Sequence, residues 1–107
     1  MEEVISDPTG FQVILTEACW EHIVSHHPEM NSFRQFVVEA VRNPDAIYVG
    51  KRDPARKIYR KRHLQVVGVG DSLDLLVFVG GTDRCVATAY FAAYAFRTLG
   101  TLIWPTN

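Results

Sequence analysis

The spacing of apolar residues changes near residue 45, and this change limits the chain to folds that contain both helices and a sheet. Between residues 32 and 43, apolar side chains recur every three or four positions, which predicts an amphipathic helix. From residue 46 onward they alternate, or run in short stretches between turn residues, which is typical of strands. The expected apolar face of the helix carries Phe33, Phe36, Val37, Ala40 and Val41.

An earlier helix is expected over residues 17–27. Thr16 stands where an N-cap is needed, and Glu17 follows it in the first turn, where the helix dipole favours an acid. Pro28 disfavours helical geometry at His27 and therefore ends the helix there. The stretch "FQVIL" before Thr16 is predicted to be a short extended lead-in.

Strands are expected at residues 45–51, 57–70, 74–79 and 84–93. The turn sequences between them, "RDPAR", "DSL" and "GGTD", are short enough to join antiparallel neighbours. The tail "GTLIW" is a candidate for a last short strand. The sequence therefore predicts one α+β domain over residues 1–107, with two N-terminal helices packed on one face of a four-stranded antiparallel sheet. The opposite face would be left open for a site.

Composition places the chain among ordinary globular domains. Apolar residues make up 48% of its 107 residues and charged residues 21%. No apolar run approaches the roughly 18 residues of a membrane span, and "MEEVISDPTG" lacks the basic and apolar regions of a signal peptide. We therefore expect a cytoplasmic protein without a membrane partner. Cys19 and Cys85 are too few for a disulfide framework and are expected to be free thiols.

Positive charge is concentrated in one segment. Residues 51–62, "KRDPARKIYRKR", hold seven of the eleven lysines and arginines, with Asp53 as their one acid, in a chain of net charge −1. Such a block is typical of a phosphate-binding surface, and the alternative is a solvated basic hairpin. Arg52, Lys61 and Arg62 of this segment are candidate contacts for RNA phosphates.

Three of the four histidines lie in "HIVSHHPEM", residues 22–30. Cys19, His22 and His26 are residue types that bind zinc and would lie along one helix. The zinc-protease motif needs glutamate directly after its first histidine, but Ile23 stands there, and no fourth ligand is evident. We therefore expect no metal. Two interpretations are left open: acid–base chemistry near neutral pH, or a structural histidine at a helix end.

The basic strand alternates two sets of side chains. Tyr59, Lys61 and His63 would share the less apolar face, and Arg60 and Arg62 the other. Farther on, Thr88 and Tyr90 fall on one face together with Val86. Threonine in a strand usually reflects β propensity, but a threonine–tyrosine pair opposite the core would supply hydroxyl donors to a phosphate.

Taken in order, these segments resemble the phage-type branch of the barnase–EndoU–colicin–RelE nuclease superfamily. The resemblance spans residues 22–104 through "HIVSHHPEM", "NPDAIYVGKRDPARKIYRKR", "HLQVVGV", "VATAY" and "GTLIW". The residues that match the family pattern are His22, Ile23, His27, Pro28, Glu29, Pro44, Asp45, Ile47, Arg52, Asp53, Pro54, Tyr59, Arg60, Thr88, Ala89, Tyr90, Gly100 and Trp104. One departure is His26, which stands where the family carries arginine before its second histidine.

The resemblance implies a small RelE- or barnase-like fold and a ribonuclease that needs neither metal nor cofactor. His27 or His22 would act as general acid and base, and Arg52 and Arg60 would stabilise the phosphate. Tyr59, Thr88 and Tyr90 would position RNA, which would be cleaved by attack of its 2′-hydroxyl on the phosphodiester. The family's toxin and phage settings imply an antitoxin or immunity protein as a second partner, and a homodimer is a further candidate. Two alternatives stay open: a catalytically silent RNA- or protein-binding domain of the same fold, and a small zinc-binding module.

Overall fold

A computed structural model describes residues 2–94 and 97–106 of the chain. Its strands are β1 (Glu3–Ser6), β2 (Gln12–Leu15), β3 (Ala46–Gly50), β4 (Lys57–Val66), β5 (Gly70–Val79), β6 (Val86–Ala92) and β7 (Leu99–Trp104). Its α-helices are α1 (Glu17–His26) and α2 (Arg34–Arg42), with a short 3₁₀ helix at Pro28–Ser32 between them. Within these described residues, no helix has the length and apolar character needed to cross a membrane.

The predicted order of two helices followed by a four-stranded sheet is wrong, although the α+β class holds. The hairpin of β1 and β2 precedes the helices, because "FQVIL" pairs with residues 3–6 in antiparallel register. The main sheet has five strands in the order β6-β5-β4-β3-β7. The tail strand β7 pairs with β3, which would otherwise be an open sheet edge with unpaired backbone groups.

The helix boundaries follow local sequence chemistry. The Thr16 side chain accepts a hydrogen bond from the Cys19 amide at 3.0 Å, which confirms it as the N-cap of α1. The helix ends at His26, and His27 is its C-cap directly before Pro28. Pro28 therefore marks a change from α to 3₁₀ geometry, as its restriction on the preceding residue requires.

The main core lies between the helices and one face of the sheet. It includes Trp20, Ile23, Val37 and Val41 from the helices, and Tyr59, Leu75, Val77, Val79 and Ala89 from the sheet. A smaller apolar cluster covers the opposite, helix-free face, where Ile58, Leu76, Phe78 and Leu99 pack with Tyr48, Tyr90 and Ala92. The helix-free face therefore has an apolar floor of its own.

The faces of β4 are the reverse of those predicted. Tyr59 is fully buried on the helix side, where its hydroxyl donates to Asp7 Oδ2 at 2.6 Å. Lys61 lies on the same side and donates to the Asn43 carbonyl oxygen at the end of α2, at 2.6 Å. Leu64 is 79% exposed near the tip of the β4–β5 hairpin. A tyrosine can pack in the core when its hydroxyl has a buried hydrogen-bond acceptor. The alternation of apolar and polar residues along β4 does not reveal such an acceptor, so the burial of Tyr59 was not predicted.

Strand β6 contains a change of face. Thr88 pairs with Phe78 and Tyr90 pairs with Leu76. The side chains of Thr88 and Tyr90 therefore lie on the helix-free face, together with the smaller apolar cluster. Val86 instead belongs to the helix-side core, because the register shifts between Phe78 and Val79. The prediction that Val86 shares a face with Thr88 and Tyr90 is therefore wrong, and a β-bulge is the reason.

Candidate functional site

A depression of about 340 Å³ lies on the helix-free face at the Gly50 end of the sheet. Its apolar floor is formed by Ile58 and Phe78, and its rim carries the cations Lys51, Arg52, Arg56 and Arg97 with Gly50, Asp53 and Thr98. We call this depression the basic cleft. Its volume falls at the lower end of the roughly 300–1,000 Å³ typical of ligand pockets.

The loop between β3 and β4 is built to present the cations of the cleft. Asp53 Oδ1 accepts a hydrogen bond from the Ala55 amide at 3.1 Å, and the Asp53 carbonyl accepts one from the Arg56 amide at 3.0 Å. These bonds form a turn of the kind that aspartate favours. Asp53 also lies 3.8 Å from the Arg56 guanidinium. Among the described residues that line the cleft, Asp53 is the one acid beside four cations, so the cleft has a positive field that favours an anionic ligand.

A row of register neighbours joins two of the predicted site residues across the sheet. Tyr90 on β6 pairs with Leu76 on β5, which pairs with Arg60 on β4. Because adjacent strands lie about 4.8 Å apart, the backbones of Tyr90 and Arg60 are separated by about 10 Å. Thr88 belongs to the next row on the same face, beside Phe78 of the cleft floor. The fold thus brings Arg60, Thr88 and Tyr90 to the face that holds the basic cleft.

Arg60 is held by a buried carboxylate. Asp74 is only 2% exposed, and its Oδ1 lies 3.1 Å from Arg60 Nε, while its Oδ2 lies 3.5 Å from Arg62 Nη1. Burial by itself would lower the pKa of Arg60, but the ion pair with Asp74 and a hydrogen bond with Tyr48 outweigh it and raise that pKa. Arg60 is therefore a cation held in place by Asp74, whose carboxylate partly balances its charge. Arg62, with 45% of its side chain exposed, is the more accessible of the two arginines.

His27 lies at the edge of the sheet beside Tyr90. The two ring centroids are 5.1 Å apart, and the Tyr90 ring stacks at 5.5 Å on Phe78 of the cleft floor. His27 Nδ1 lies 3.6 Å from Glu29 Oε1, and 32% of the His27 side chain is exposed. Burial raises the pKa of Tyr90, so its phenol stays protonated near neutral pH and can donate a hydrogen bond. An accessible imidazole and a phenol donor are therefore side by side, next to the cleft.

His22 and His26 do not join this arrangement. Both are exposed on α1, with ring centroids 4.4 Å apart. His26 Nδ1 lies 3.1 Å from both Ser25 Oγ and the His22 carbonyl oxygen, so it is occupied within its own helix. His22 lines a different depression, beside Cys19 and Cys85. The sequence made both His22 and His27 candidates for the general acid and base, and the structure places His27 beside Tyr90 and His22 elsewhere.

Of the four predicted RNA contacts, Arg52 lines the cleft and the other three do not. Arg62 lies farther along β4 on the same face of the sheet as the cleft. Tyr59 is fully buried and Lys61 is bonded to the end of α2, both on the helix side of the sheet. Their neighbour His63 stacks on Phe36 of α2 at 5.1 Å, and its pKa is lowered by burial and by the charge of Lys61. The prediction that this face of β4 is open is therefore wrong, because α2 covers it.

Other residues of the cleft were missed on the sequence. Lys51 and Arg56 belong to the basic segment but were not singled out, because their positions around the cleft depend on the turn at Asp53. Arg97 and Thr98 gave no signal, since only the connection from β6 to β7 brings them to Ile58 and Phe78. Within residues 2–94 and 97–106, no group of three or more histidine, cysteine or acidic side chains is arranged to hold a metal ion.

Comparisons of this chain with protein-family models, with curated proteins and with solved structures gave no match. The resemblance to the nuclease superfamily therefore rests on the ordered sequence motifs alone.

Proposed function

We propose that this protein is a metal-independent endoribonuclease of toxin or phage type, acting in the cytoplasm. The observation that carries the proposal is the basic cleft, which opens on the face that holds Arg60, Thr88 and Tyr90, with the His27 ring beside Tyr90. The ordered resemblance to the nuclease superfamily supports the same function. RNA is the proposed ligand, and an antitoxin or immunity protein is a proposed partner that would cover the cleft with acidic side chains.

Cleavage by the 2′-hydroxyl needs a base, an acid and cations that stabilise the pentacoordinate phosphorane. In the proposed mechanism His27 accepts the proton of the 2′-hydroxyl, and Glu29, 3.6 Å from its Nδ1, stabilises the imidazolium that forms. The protonated Tyr90 donates to the leaving 5′-oxygen. Arg52 and its neighbours in the cleft bind the adjacent phosphate, where bidentate guanidinium donors match the oxygens.

Incubation of the purified chain with mixed RNA in EDTA tests the proposal. We expect fragments that end in 2′,3′-cyclic phosphate and 5′-hydroxyl groups, because attack by the 2′-hydroxyl expels the 5′-oxygen. Binding without any cleavage would instead favour the silent RNA-binding alternative, and cleavage that appears only after a divalent metal is added would contradict the mechanism.

The cleft cations should also set the salt dependence of RNA binding. Replacing Arg52 and Arg97 together with alanine should weaken binding and reduce the slope of log K against log salt by about 1.4, since each lost contact to single-stranded RNA contributes about 0.7. Titrations of a short RNA at several salt concentrations measure this slope. The control is Arg42→Ala, which removes an exposed cation from α2 on the other side of the sheet. If the double variant changes the slope no more than Arg42→Ala does, the cleft does not bind RNA.

A further inference from the structure

The depression beside His22 contains both cysteines of the chain. It has a volume of about 310 Å³ and lies where the first turn of α1 meets the start of β6. Cys19 and Cys85 both line it, and the Cys19 thiol lies close enough to contribute to the raised pKa of the Cys85 thiol. Both side chains are partly exposed, so a small reagent can reach them. Neither cysteine has a role in the proposed cleavage of RNA.

The backbones that carry the two thiols are held in place. The Cys19 amide donates to Thr16 Oγ1 at 3.0 Å in the capped first turn of α1. The Cys85 amide donates to Asp83 Oδ1 at 2.9 Å, and its carbonyl accepts from the Gly80 amide at 3.0 Å. A disulfide requires the two Cα atoms to be about 4.4–6.8 Å apart. Because α1 packs against β6 and both cysteines line the same depression, we infer that the two sulfurs can reach this geometry.

The two thiols are not equivalent chemically. Burial, followed by the nearby Asp83 carboxylate, raises the pKa of the Cys85 thiol, whose S–H points to the Asp83 carbonyl oxygen at 3.6 Å. Cys85 therefore keeps its proton, and the thiolate is the form that reacts with an oxidant. Because the Cys85 S–H is held by the Asp83 carbonyl oxygen, we assign the first oxidation step to Cys19 and the second to Cys85.

We propose that Cys19 and Cys85 form a reversible disulfide when the protein meets a hydroperoxide. The Cys19 thiolate attacks one peroxide oxygen, breaks the O–O bond and becomes a sulfenic acid, while the other oxygen leaves as hydroxide and takes up a proton to form water. The Cys85 sulfur then attacks the Cys19 sulfur, and the sulfenic hydroxyl leaves as a second water with the Cys85 proton. Two thiols and one hydrogen peroxide thus give one disulfide and two waters, and a dithiol reductant reverses the bond by exchange.

The bond would join two elements that carry proposed site residues. Helix α1 leads to His27 and strand β6 carries Thr88 and Tyr90, so the link would fix their relative position from the far end of both elements. It would also close a long loop of the chain and thereby restrict the unfolded state. We expect the oxidised form to melt on the order of 10 °C above the reduced form. This modification stands whether or not the chain cleaves RNA.

The test is oxidation of the full-length protein with one equivalent of hydrogen peroxide in EDTA, followed by alkylation under denaturing conditions and mass spectrometry. The expected product is a monomer that has lost two hydrogen atoms, takes up no alkylating reagent and yields a Cys19–Cys85 linked peptide. Dithiothreitol should restore both alkylation sites and lower the melting temperature again. Two free thiols, a sulfinic acid, or dimers linked between chains would each overturn the proposal.

The order of the two steps has its own test. In Cys85→Ser the sulfenic acid on Cys19 has no resolving thiol, so dimedone should trap it severalfold faster than it traps Cys85 in Cys19→Ser. The rise in melting temperature on oxidation should be absent from both variants. A rise that persists in either variant, or faster trapping at Cys85, would contradict the proposed pairing or its order. The wild-type mass measurement decides the pairing even if a serine variant folds poorly.

Discussion

Replacing His27 with alanine is expected to lower RNA cleavage by about two to four orders of magnitude, the usual contribution of a general acid or base. The expectation follows from the position of the imidazole, 5.1 Å from the Tyr90 ring and 3.6 Å from Glu29, at the edge of the face that holds the basic cleft. Single-turnover cleavage of a labelled RNA measures the loss. RNA affinity should change little, because the phosphate contacts are assigned to the cleft cations.

His26→Ala and His22→Ala are the matched controls for this prediction. Each removes an exposed imidazole from the same helix, and neither residue lies beside Tyr90 or the cleft. Both should retain cleavage near the wild-type rate. A large loss in His22→Ala alone would move the catalytic centre to the depression beside the cysteines. If all three variants fold and cleave normally, "HIVSHHPEM" is a helix end that is rich in histidine and has no catalytic role. Thermal unfolding of each variant separates lost chemistry from lost structure.

Asp7→Ala is expected to destabilise the protein by about 3–5 kcal/mol, the largest effect on stability that we predict. Asp7 is 5% exposed and joins the β1–β2 turn to the main sheet. Its Oδ1 accepts from the Thr9 amide at 2.7 Å, the Thr9 hydroxyl at 2.7 Å and the Phe11 amide at 3.0 Å. Its Oδ2 accepts from the buried Tyr59 hydroxyl at 2.6 Å. Removing the carboxylate leaves several donors without this acceptor, and denaturant unfolding measures the cost.

Tyr59→Phe is the control, since it removes one of these bonds and keeps the ring in the core. It should cost about 1.5–3 kcal/mol, as expected for a hydrogen bond to a charged acceptor. A loss below about 1 kcal/mol in Asp7→Ala would show that water or a shifted hairpin replaces the carboxylate without strain.

The same carboxylate should make stability depend on acid pH. Burial alone would raise the pKa of Asp7, but the hydrogen bonds from Tyr59, Thr9 and Phe11 outweigh it and lower that pKa from its ordinary 3.8. A lowered folded-state pKa contributes stability that is present above the unfolded value and is lost as pH falls through the folded value. Wild-type stability should therefore decline below about pH 4, and Asp7→Asn should make that decline shallower. If the wild type and Asp7→Asn lose stability equally as the pH falls, the Asp7 carboxylate is not the group responsible.

Several local features could be predicted from the sequence because they depend on near neighbours in the chain. Thr16 caps α1, Pro28 ends it, and the apolar repeat of residues 32–43 gives α2. The strands from β3 to β6 were also expected, although their ends shift by a few residues. The pairing of residues 3–6 with "FQVIL" was missed, because it joins two short segments whose own periodicity is too brief to indicate a hairpin.

The sequence by itself determined the helices, most strands and the concentration of positive charge. Helices show a spacing of three or four residues, strands show a spacing of two, and turn residues separate them, so these signals act over a few positions of the chain. Only the tertiary structure decided which face of β4 is buried, because both faces carry apolar and polar side chains, and Tyr59 enters the core once Asp7 satisfies its hydroxyl. The tertiary structure also placed β7 against β3 and brought Arg97 to Arg52 and Arg56 around one cleft. Such contacts form between segments that are far apart in the chain, and a pattern within a few residues does not indicate which distant segments will pair.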